Sequence, residues 1–594
     1  MSQHRRTSVL ILSGIVLLAF VLRLYRADAY GLFFDEKATI LISQGIPMEG
    51  ANQHDVFDKP DSPYFTPKEF WRPKTLADFN EAVSRSDIGH SPAYYAMLWT
   101  WIKAFGLSDL SLRFPSILFG TLTVLLVYFF VKRHLRLTPE TTDRLALISA
   151  FIATIEPLFI AHSHIARNYT MSFFLTLLAT HVFLIIIEKE KARKASVGLY
   201  IGYCALVSLS ILSHYLTVTV FLSHGLYVLF FVRKWPVWYK LGVSFAVALG
   251  FVSLWMLFGG GQSTFGTLKY QAEFYRMLAE TNPVNNGFGL ILPATVPNVF
   301  WRAIPVFADL VIFTNGLATM IVGYRNAVVA FLIGLLCIFI IHRYRNQRQT
   351  PQWVKFAIPT LLLAGMLYYS IHPLQHLVLS AMLPFFYLLG LSLMEDFRPG
   401  DRPLLLFLIM LSLIPTLFLL LMAFRSGHTY GVTQRYSGFS FPYVCILVAL
   451  MIQKLFAQRL WISLPLAAVL FIQAGFVALL LQQIYNDMAP KYTSYGVPRT
   501  KNPFWYSAKK IQELYTPGDT VLYPTLKRKE YTEIDKSGRP YDILDAQLVN
   551  IYLPRDATYY QRIDTTEQDK IVLVKGKTGQ KITIFDLEGT KYRY

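Results

Sequence analysis

The chain has 594 residues, of which 54% are hydrophobic and 15% aromatic, and its mean hydropathy is +0.39. That is more apolar surface than a water-soluble domain can bury, so the composition excludes a soluble globular protein and predicts a polytopic α-helical membrane protein. The formal net charge of +19 does not imply nucleic acid, because the Lys and Arg cluster between apolar runs, where membrane topology accounts for them.

A helix crossing about 30 Å of hydrocarbon needs about 20 mainly apolar residues. Thirteen runs approach this in chain order: 8–26, 113–131, 145–162, 169–187, 196–213, 215–232, 238–258, 326–342, 353–371, 375–394, 403–423, 440–456 and 461–483. The first is followed by Arg23 and Arg26 and shows no small-residue cleavage site, so it reads as a span rather than a signal peptide. Cys204, Cys337 and Cys445 lie inside apolar runs without metal-type spacing, which argues against a disulfide framework or a zinc site.

The stretch HSPAYYAMLWTWIKAFG, His90 to Gly106, is apolar enough to be a fourteenth span. Charge decides against it. If it lies in the interface, the basic loops 132–136, 188–194, 233–240, 342–348 and 397–402 all fall on the side of Arg5 and Arg6, as the positive-inside rule requires. Its Tyr and Trp content suits an interfacial helix. This topology places 27–112, 162–168, 259–325, 425–438 and the tail after about residue 485 outside.

The first external segment holds GLFFDEKATI, with Asp35 and Glu36 adjacent. A carboxylate pair beside the bilayer costs free energy unless it is hydrated, paired or functional. One reading makes the pair the acidic cap of an interfacial helix beginning near Lys37. The other makes it a reactive site. The pair alone does not choose between them.

The wider pattern resembles the GT-C membrane glycosyltransferases, and within them the family of protein O-mannosyltransferases and lipid A aminoarabinose transferases (glycosyltransferase family 39-like). LRLYRADAYGLFFDEKATI matches a first span ending in Arg and followed by Asp-Glu, and GHSPAYYAMLWTWIKAFG matches a His-Pro-Pro-Leu-like interfacial helix. LRFPSILFGTLTVLLVYFF (Leu112 to Phe130) matches the start of the second span, and HSHIARNYTMSFFLTLL (His162 to Leu178) that of the fourth. The resemblance covers roughly residues 1–230. Later it reduces to span count and an Arg-Tyr followed by Pro in QRYSGFSFPY (Gln434 to Tyr443), with IHPLQHLVLSAMLPFF (Ile371 to Phe386) as an alternative counterpart. Two departures stand out. Tyr169, Thr170, Met171 and Ser172 occupy the place of a second catalytic acid, and Ser91 replaces the first Pro of the interfacial motif.

The resemblance implies a GT-C fold and sugar transfer from a polyprenyl-phosphate donor. Nucleotide sugars are absent outside the membrane, so a lipid-linked sugar is the natural donor there. Attack on the anomeric carbon needs a base for the acceptor proton and cationic groups for the departing phosphate. Asp35 is the expected base, with Glu36 orienting it or binding the acceptor or a cation. Arg167, Arg435 and Arg23 are the expected phosphate ligands, because a guanidinium binds phosphate oxygens bidentately. Each also has a plainer reading as a snorkelling interfacial Arg. His90 is placed with them as a phosphate donor or cation ligand, and a divalent cation on Asp35, Glu36 and His90 stays open. Tyr94, Tyr95, Tyr169 and Tyr436 are assigned to the substrate cavity.

Residues 259–325 form a long external loop, read as a lid over the donor cavity or as a simple connection. From about residue 485 the charges are mixed and strand-like runs appear at 519–526 and 570–587, with a helical segment at 504–515. The expected division is a transmembrane transferase domain, 1–484, and an extracytoplasmic α/β domain, 485–594. The reading is a multi-pass plasma-membrane glycosyltransferase whose partners are a polyprenyl-phosphate sugar, membrane lipid and an acceptor lipid, glycan or protein. A multispan transporter or flippase is the alternative, opposed by the scarcity of ionisable residues inside the spans apart from Glu156.

Overall fold

The computed structural model describes residues 3–48, 54–57, 59, 61–86, 91–283, 290–321, 323–489, 492, 499–525 and 543–590. His90 and residues 284–289 of the long loop lie outside the described residues.

The helices, in order, are α1 Gln3–Leu24, α2 Phe34–Ser43, α3 His54–Phe57, α4 Pro67–Phe70, α5 Leu76–Ser86, α6 Pro92–Phe105, α7 Asp109–His134, α8 Pro139–Ile155, α9 Pro157–Ser163 and α10 Tyr169–Lys191. There follow α11 Val197–Ser213, α12 Val218–Phe231, α13 Trp235–Phe258, α14 Thr264–Thr281, α15 Val296–Leu310, α16 Leu317–Met320, α17 Tyr324–Tyr344 and α18 Gln352–Tyr368. The last membrane helices are α19 Pro373–Glu395, α20 Arg402–Ser426, α21 Phe441–Phe456 and α22 Leu460–Tyr485. A 3-10 turn, Gln434–Ser440, leads into α21.

All thirteen apolar runs fall on helices, and the chain is a polytopic helical membrane protein. By length and composition, however, 9 helices among the described residues can cross a bilayer, or 10 if the bent pair α8–α9 counts as one. The remaining three, α11, α12 and α18, have 17, 14 and 17 residues, short of the about 20 a perpendicular crossing needs. Helix α6 has 14 residues and packs on α2, α7 and α11, in keeping with an interfacial rather than a spanning helix.

The bend between α8 and α9 is 54°. Its cause is Pro157, which has no N–H to offer the Ala153 carbonyl one turn back. Arg23 of α1 fills the gap: Nη2 donates to Ala153 O (2.9 Å) and Nη1 to Thr154 O (3.2 Å) and Ala19 O (3.0 Å). Gly120 of α7 leaves room for this crossing, since a Cβ there would stand 2.5 Å from Ser163 Oγ and 3.1 Å from Arg23 Nε.

The C-terminal part is a small α/β domain. Helices α23 (Pro503–Leu514) and α24 (Leu544–Tyr552) accompany a four-stranded sheet of order β2-β1-β3-β4, with β1 Thr520–Pro524, β2 Tyr560–Asp564, β3 Lys570–Val574 and β4 Lys581–Asp586. Strands β1 and β2 are parallel, while β1–β3 and β3–β4 are antiparallel. Strand β1 falls on the described part of the run 519–526, β3 and β4 on 570–587 and α23 on the helical segment 504–515; β2 and α24 are additional. This domain does not stand apart. Phe65 exchanges both backbone hydrogen bonds with Gln561 of β2 (3.0 Å each), and Trp71 Nε1 donates to Asn550 O (2.9 Å). Ile40, Leu41, Phe65, Phe70 and Tyr94 share one hydrophobic core with Val521, Tyr523, Leu548 and Ile571.

Candidate active site

The site is built where the start of α2, the start of α10 and the turn 434–440 converge. Helix α2 begins at Phe34, so Glu36 is its third residue, and Glu36 Oε2 accepts the Phe33 N–H (2.8 Å) as a helix-capping carboxylate does. The same side chain is fully buried and held bidentately by Arg113 of α7, Nε to Oε1 and Nη2 to Oε2, both 2.8 Å. Oε1 also accepts the Ala166 N–H (2.7 Å), and Arg499 Nη1 stands 3.9 Å from Oε2.

Arg113 reaches further. Nη1 donates to Ala27 O (2.8 Å) and Tyr30 O (2.7 Å), and Nη2 to Gly31 O (3.0 Å), so all five guanidinium N–H groups are engaged. The link from α1 to α2 is thereby wrapped around one cation. Burial alone would push the Glu36 carboxyl up, but the Arg113 guanidinium outweighs it and holds the group below its usual range. Breaking such a buried pair from one side costs about 3–5 kcal/mol.

Asp35 is placed differently. Its side chain is 26% exposed and its Oδ2 faces Arg435 Nη1 at 3.6 Å. At 3.6 Å and with both side chains partly exposed, this is a long, partly hydrated contact, looser than the buried Glu36–Arg113 pair. Arg435 in turn lies over the Tyr436 ring (4.7 Å) and donates through Nη2 to the Tyr436 hydroxyl (3.1 Å). The turn that carries Arg435 sits close against α10 because residue 438 is Gly: a Cβ there would lie 2.3 Å from Phe173 Cζ.

Arg167, just before α10, is buried against α2. Its Nη1 donates to Thr39 Oγ1 (2.8 Å) and, at 3.4 Å, to the Asp35 carbonyl, which also accepts the Thr39 hydroxyl (2.8 Å). Its neighbour Asn168 donates to Ser91 Oγ (2.7 Å). The Ser at position 91, where the family pattern has Pro, thus supplies an acceptor that ties the start of α6 to α10.

The structure therefore brings Asp35, Glu36, Arg167, Arg435, Tyr169 and Tyr436 together, and among the other described candidates it sets Arg23 apart. Tyr436 flanks the Asp35–Arg435 pair, and Tyr169 lies deeper, its ring 4.5 Å from that of His162 and 5.6 Å from that of His214. Tyr94 and Tyr95 are buried in the core beneath α2 rather than lining an open cleft. Arg23, expected on the donor phosphate, is instead fully buried on the α8 carbonyls, because the proline break leaves those acceptors without their own donors. Glu36, expected to orient Asp35 or to bind the acceptor or a cation, is turned into the protein, because the Phe33 and Ala166 N–H groups and Arg113 claim both its oxygens. Among the described residues no group of three or more His, Cys, Asp or Glu is arranged to hold a metal ion. Of the two later segments, it is 434–443 that reaches Asp35. His376 in the other is buried and within hydrogen-bonding distance of Asn326 O (3.2 Å).

Arg113, Arg499 and Asp487 were not singled out from the sequence. Arg113 stands inside LRFPSILFG, and a buried Glu36 demands such a partner. Nothing local marks the Asp487–Arg499 pair, in which Arg499 Nε and Nη2 donate to the two Asp487 oxygens at 2.9 and 3.0 Å and Nη1 to Gly31 O at 3.0 Å.

A helical membrane bundle whose connecting segments assemble a carboxylate–guanidinium site at one end of the helices defines the class: an integral-membrane protein with a polar site at the bundle's edge. Residues 89–258 match the family described as dolichyl-phosphate-mannose-protein mannosyltransferase. The match covers under a third of the chain and overlaps the motif-bearing stretches His90–Gly106, Leu112–Phe130 and His162–Leu178. No curated protein matches the chain. Among solved structures, the archaeal oligosaccharyltransferase AglB from Archaeoglobus fulgidus, in complex with an inhibitory peptide and a dolichol-phosphate, is similar at 14% identity and a TM-score of 0.41, covering 87% of this chain and 59% of that one. ArnT from Cupriavidus metallidurans bound to undecaprenyl phosphate is similar at 12% identity and a TM-score of 0.34, covering 92% and 84%. The chain thus spans less than two thirds of AglB's length.

Proposed function

We propose that the protein transfers a sugar from a polyprenyl-phosphate donor to an acceptor at the outer face of the membrane. The observation that carries this reading is the half-exposed Asp35 carboxylate 3.6 Å from Arg435, a long, partly hydrated contact on a rigidly seated helix start. In the proposed reaction Asp35 takes the proton of the acceptor's nucleophilic group as that group attacks the anomeric carbon. The bond from the anomeric carbon to phosphate oxygen breaks, and the lipid phosphate leaves with its negative charge, which Arg435 stabilises. Arg167 holds the Asp35 turn and adds positive potential beside the phosphate. Glu36 keeps α2 in place without contacting substrate. The 1–484 segment carries this chemistry, and 485–594 covers the substrate-side loops.

The outer placement is supported by the helix directions. Helix α7 begins beside Glu36 and ends at Lys132, Arg133 and His134, and α10 begins after Arg167 and ends at Lys189 and Lys191. The site thus lies at the end opposite the basic clusters, which the positive-inside rule assigns to the cytoplasm.

The test is release of polyprenyl phosphate from a panel of purified polyprenyl-phosphate sugars by the protein in proteoliposomes, with and without a chelator. Acceptor-dependent release that Asp35→Asn abolishes is expected. Movement of the intact lipid-linked sugar across the bilayer without release would overturn the reading in favour of a flippase, and loss of activity on chelation would require a cation in the site.

A further inference from the structure

Helix α15 and its flanks lie along the segment 427–434, which delivers Arg435 to the site, and grip it at three places. Before α15, Ala294 N donates to Gly427 O (3.0 Å), Thr429 N to Leu292 O (3.0 Å) and Leu292 N to Thr429 Oγ1 (3.0 Å). Along its inner face, Val299 and Val306 pack in one cluster with Val432 and Ala423. In its last turn, Asp309 is 1% exposed and divides its carboxylate: Oδ1 accepts the Gly316 N–H (2.9 Å) and Oδ2 accepts Gln434 Nε2 (2.8 Å). Gln434 is the residue before Arg435.

The far side of this junction is fixed as well. Asn315 Nδ2 donates to the Tyr492 hydroxyl (2.8 Å), and Gln473 Nε2 of α22 donates to Ile312 O (2.9 Å) and Asn315 O (3.1 Å). The loop after α15 is thus anchored to a membrane helix and to the segment following it. A carboxylate held there is a fixed point against which Gln434 is set.

We infer that Asp309 is a positioning residue: through Gln434 it fixes the direction of Arg435 toward Asp35, so this stretch of the long external loop braces the site rather than hanging over it. The inference rests on the transfer reading of Asp35 and Arg435. Arg435 is otherwise held by its own neighbour Tyr436 and by a 3.6 Å ion pair, neither of which fixes a long side chain firmly. A misplacement of about 1 Å in a site of this kind costs about 10²-fold in turnover.

The experiment is a mutant cycle read as polyprenyl phosphate release at matched amounts of folded protein. Asp309→Ala and Gln434→Leu should each lower turnover about 10- to 100-fold. The double variant should be no worse than the poorer single, because both remove one bridge. Asp309→Asn should recover most of the turnover, since a turned Gln434 amide presents its oxygen to the new amide and remakes the bridge. Independent, multiplying losses would overturn the inference, and so would an Asp309→Asn variant as poor as Asp309→Ala, which would make the charge itself the active feature. If Asp309→Ala fails to fold, normal turnover in Gln434→Leu alone refutes the bridge. Asp35→Asn separates the two levels. Full activity in that variant removes the transfer reading, whereas an inactive Asp35→Asn beside a fully active Asp309→Ala removes only the brace.

Discussion

Replacing Glu36 with Gln separates the two adjacent acids. The wild-type carboxylate accepts the Phe33 and Ala166 N–H groups and two N–H groups of Arg113, at 2.7–2.8 Å. A Gln keeps one acceptor oxygen and turns an NH2 toward donors, leaving the fully buried Arg113 with an uncompensated charge. Removal of one partner from a buried pair costs about 3–5 kcal/mol, and less from the looser, partly exposed Asp35–Arg435 pair. Glu36→Gln should therefore unfold much more easily than wild type, while Asp35→Asn should melt almost normally and yet be inactive. With the partly exposed Cys204 replaced by Ser, the buried thiols of Cys337 and Cys445 give the assay, because a thiol-reactive dye reaches them only as the bundle opens. The pair also has a pH signature. The Arg113 guanidinium outweighs burial and holds the folded carboxyl below the usual Glu range, so its contribution is complete at neutral pH and is lost only as the pH falls below the range of an unfolded Glu and through the folded one. A Glu36→Gln protein that melts like wild type but has lost transfer would refute the structural assignment and return Glu36 to the chemistry.

The arginines divide in the same way. Arg435→Ala should lower sugar transfer by at least about 10²-fold with little change in melting, and Arg167→Lys should recover only part of the loss seen in Arg167→Ala, because an ammonium cannot reproduce the guanidinium's planar set of contacts; polyprenyl phosphate release measures both. Arg23→Met should cost about 1.5–3 kcal/mol for each charged hydrogen bond lost to the α8 carbonyls and leave turnover per folded molecule unchanged, which dye accessibility and activity read together. Cysteines introduced at Thr578 and Arg193 test the topology: an impermeant thiol reagent added to intact cells should label the first and spare the second.

The spans were legible because a membrane imposes one strong rule, an apolar run of fixed length, and all thirteen runs became helices. Their count as crossings was less legible, since α11, α12 and α18 fall short of a full crossing length. Asp35, Arg167 and Arg435 could be named because charged groups at the ends of apolar helices are conspicuous. The fate of each charge could not be named, because it depends on contacts between distant parts of the chain. Arg23 and Arg435 look alike in sequence, yet Pro157 on another helix claims the first. Glu36 and Asp35 are neighbours, yet the helix start turns one inward and leaves the other partly exposed beside Arg435. The cap reading and the reactive reading of the pair were alternatives only while the two acids were treated as one unit.

The joining of the C-terminal domain to the first connecting segment has a consequence for how the protein is made. Trp71 and its acceptor Asn550 are 479 residues apart. At a synthesis rate of about 5–20 residues per second, the segment around Phe65, Phe70 and Trp71 waits about 25–100 s for its partner after leaving the ribosome. Throughout that interval the core around Phe65 and Phe70 has only its N-terminal half, without Val521, Tyr523, Leu548 and Ile571. A late part of the chain thus completes the core begun by an early one, and a chain arrested before residue 550 leaves that apolar face uncovered however well its membrane helices have assembled.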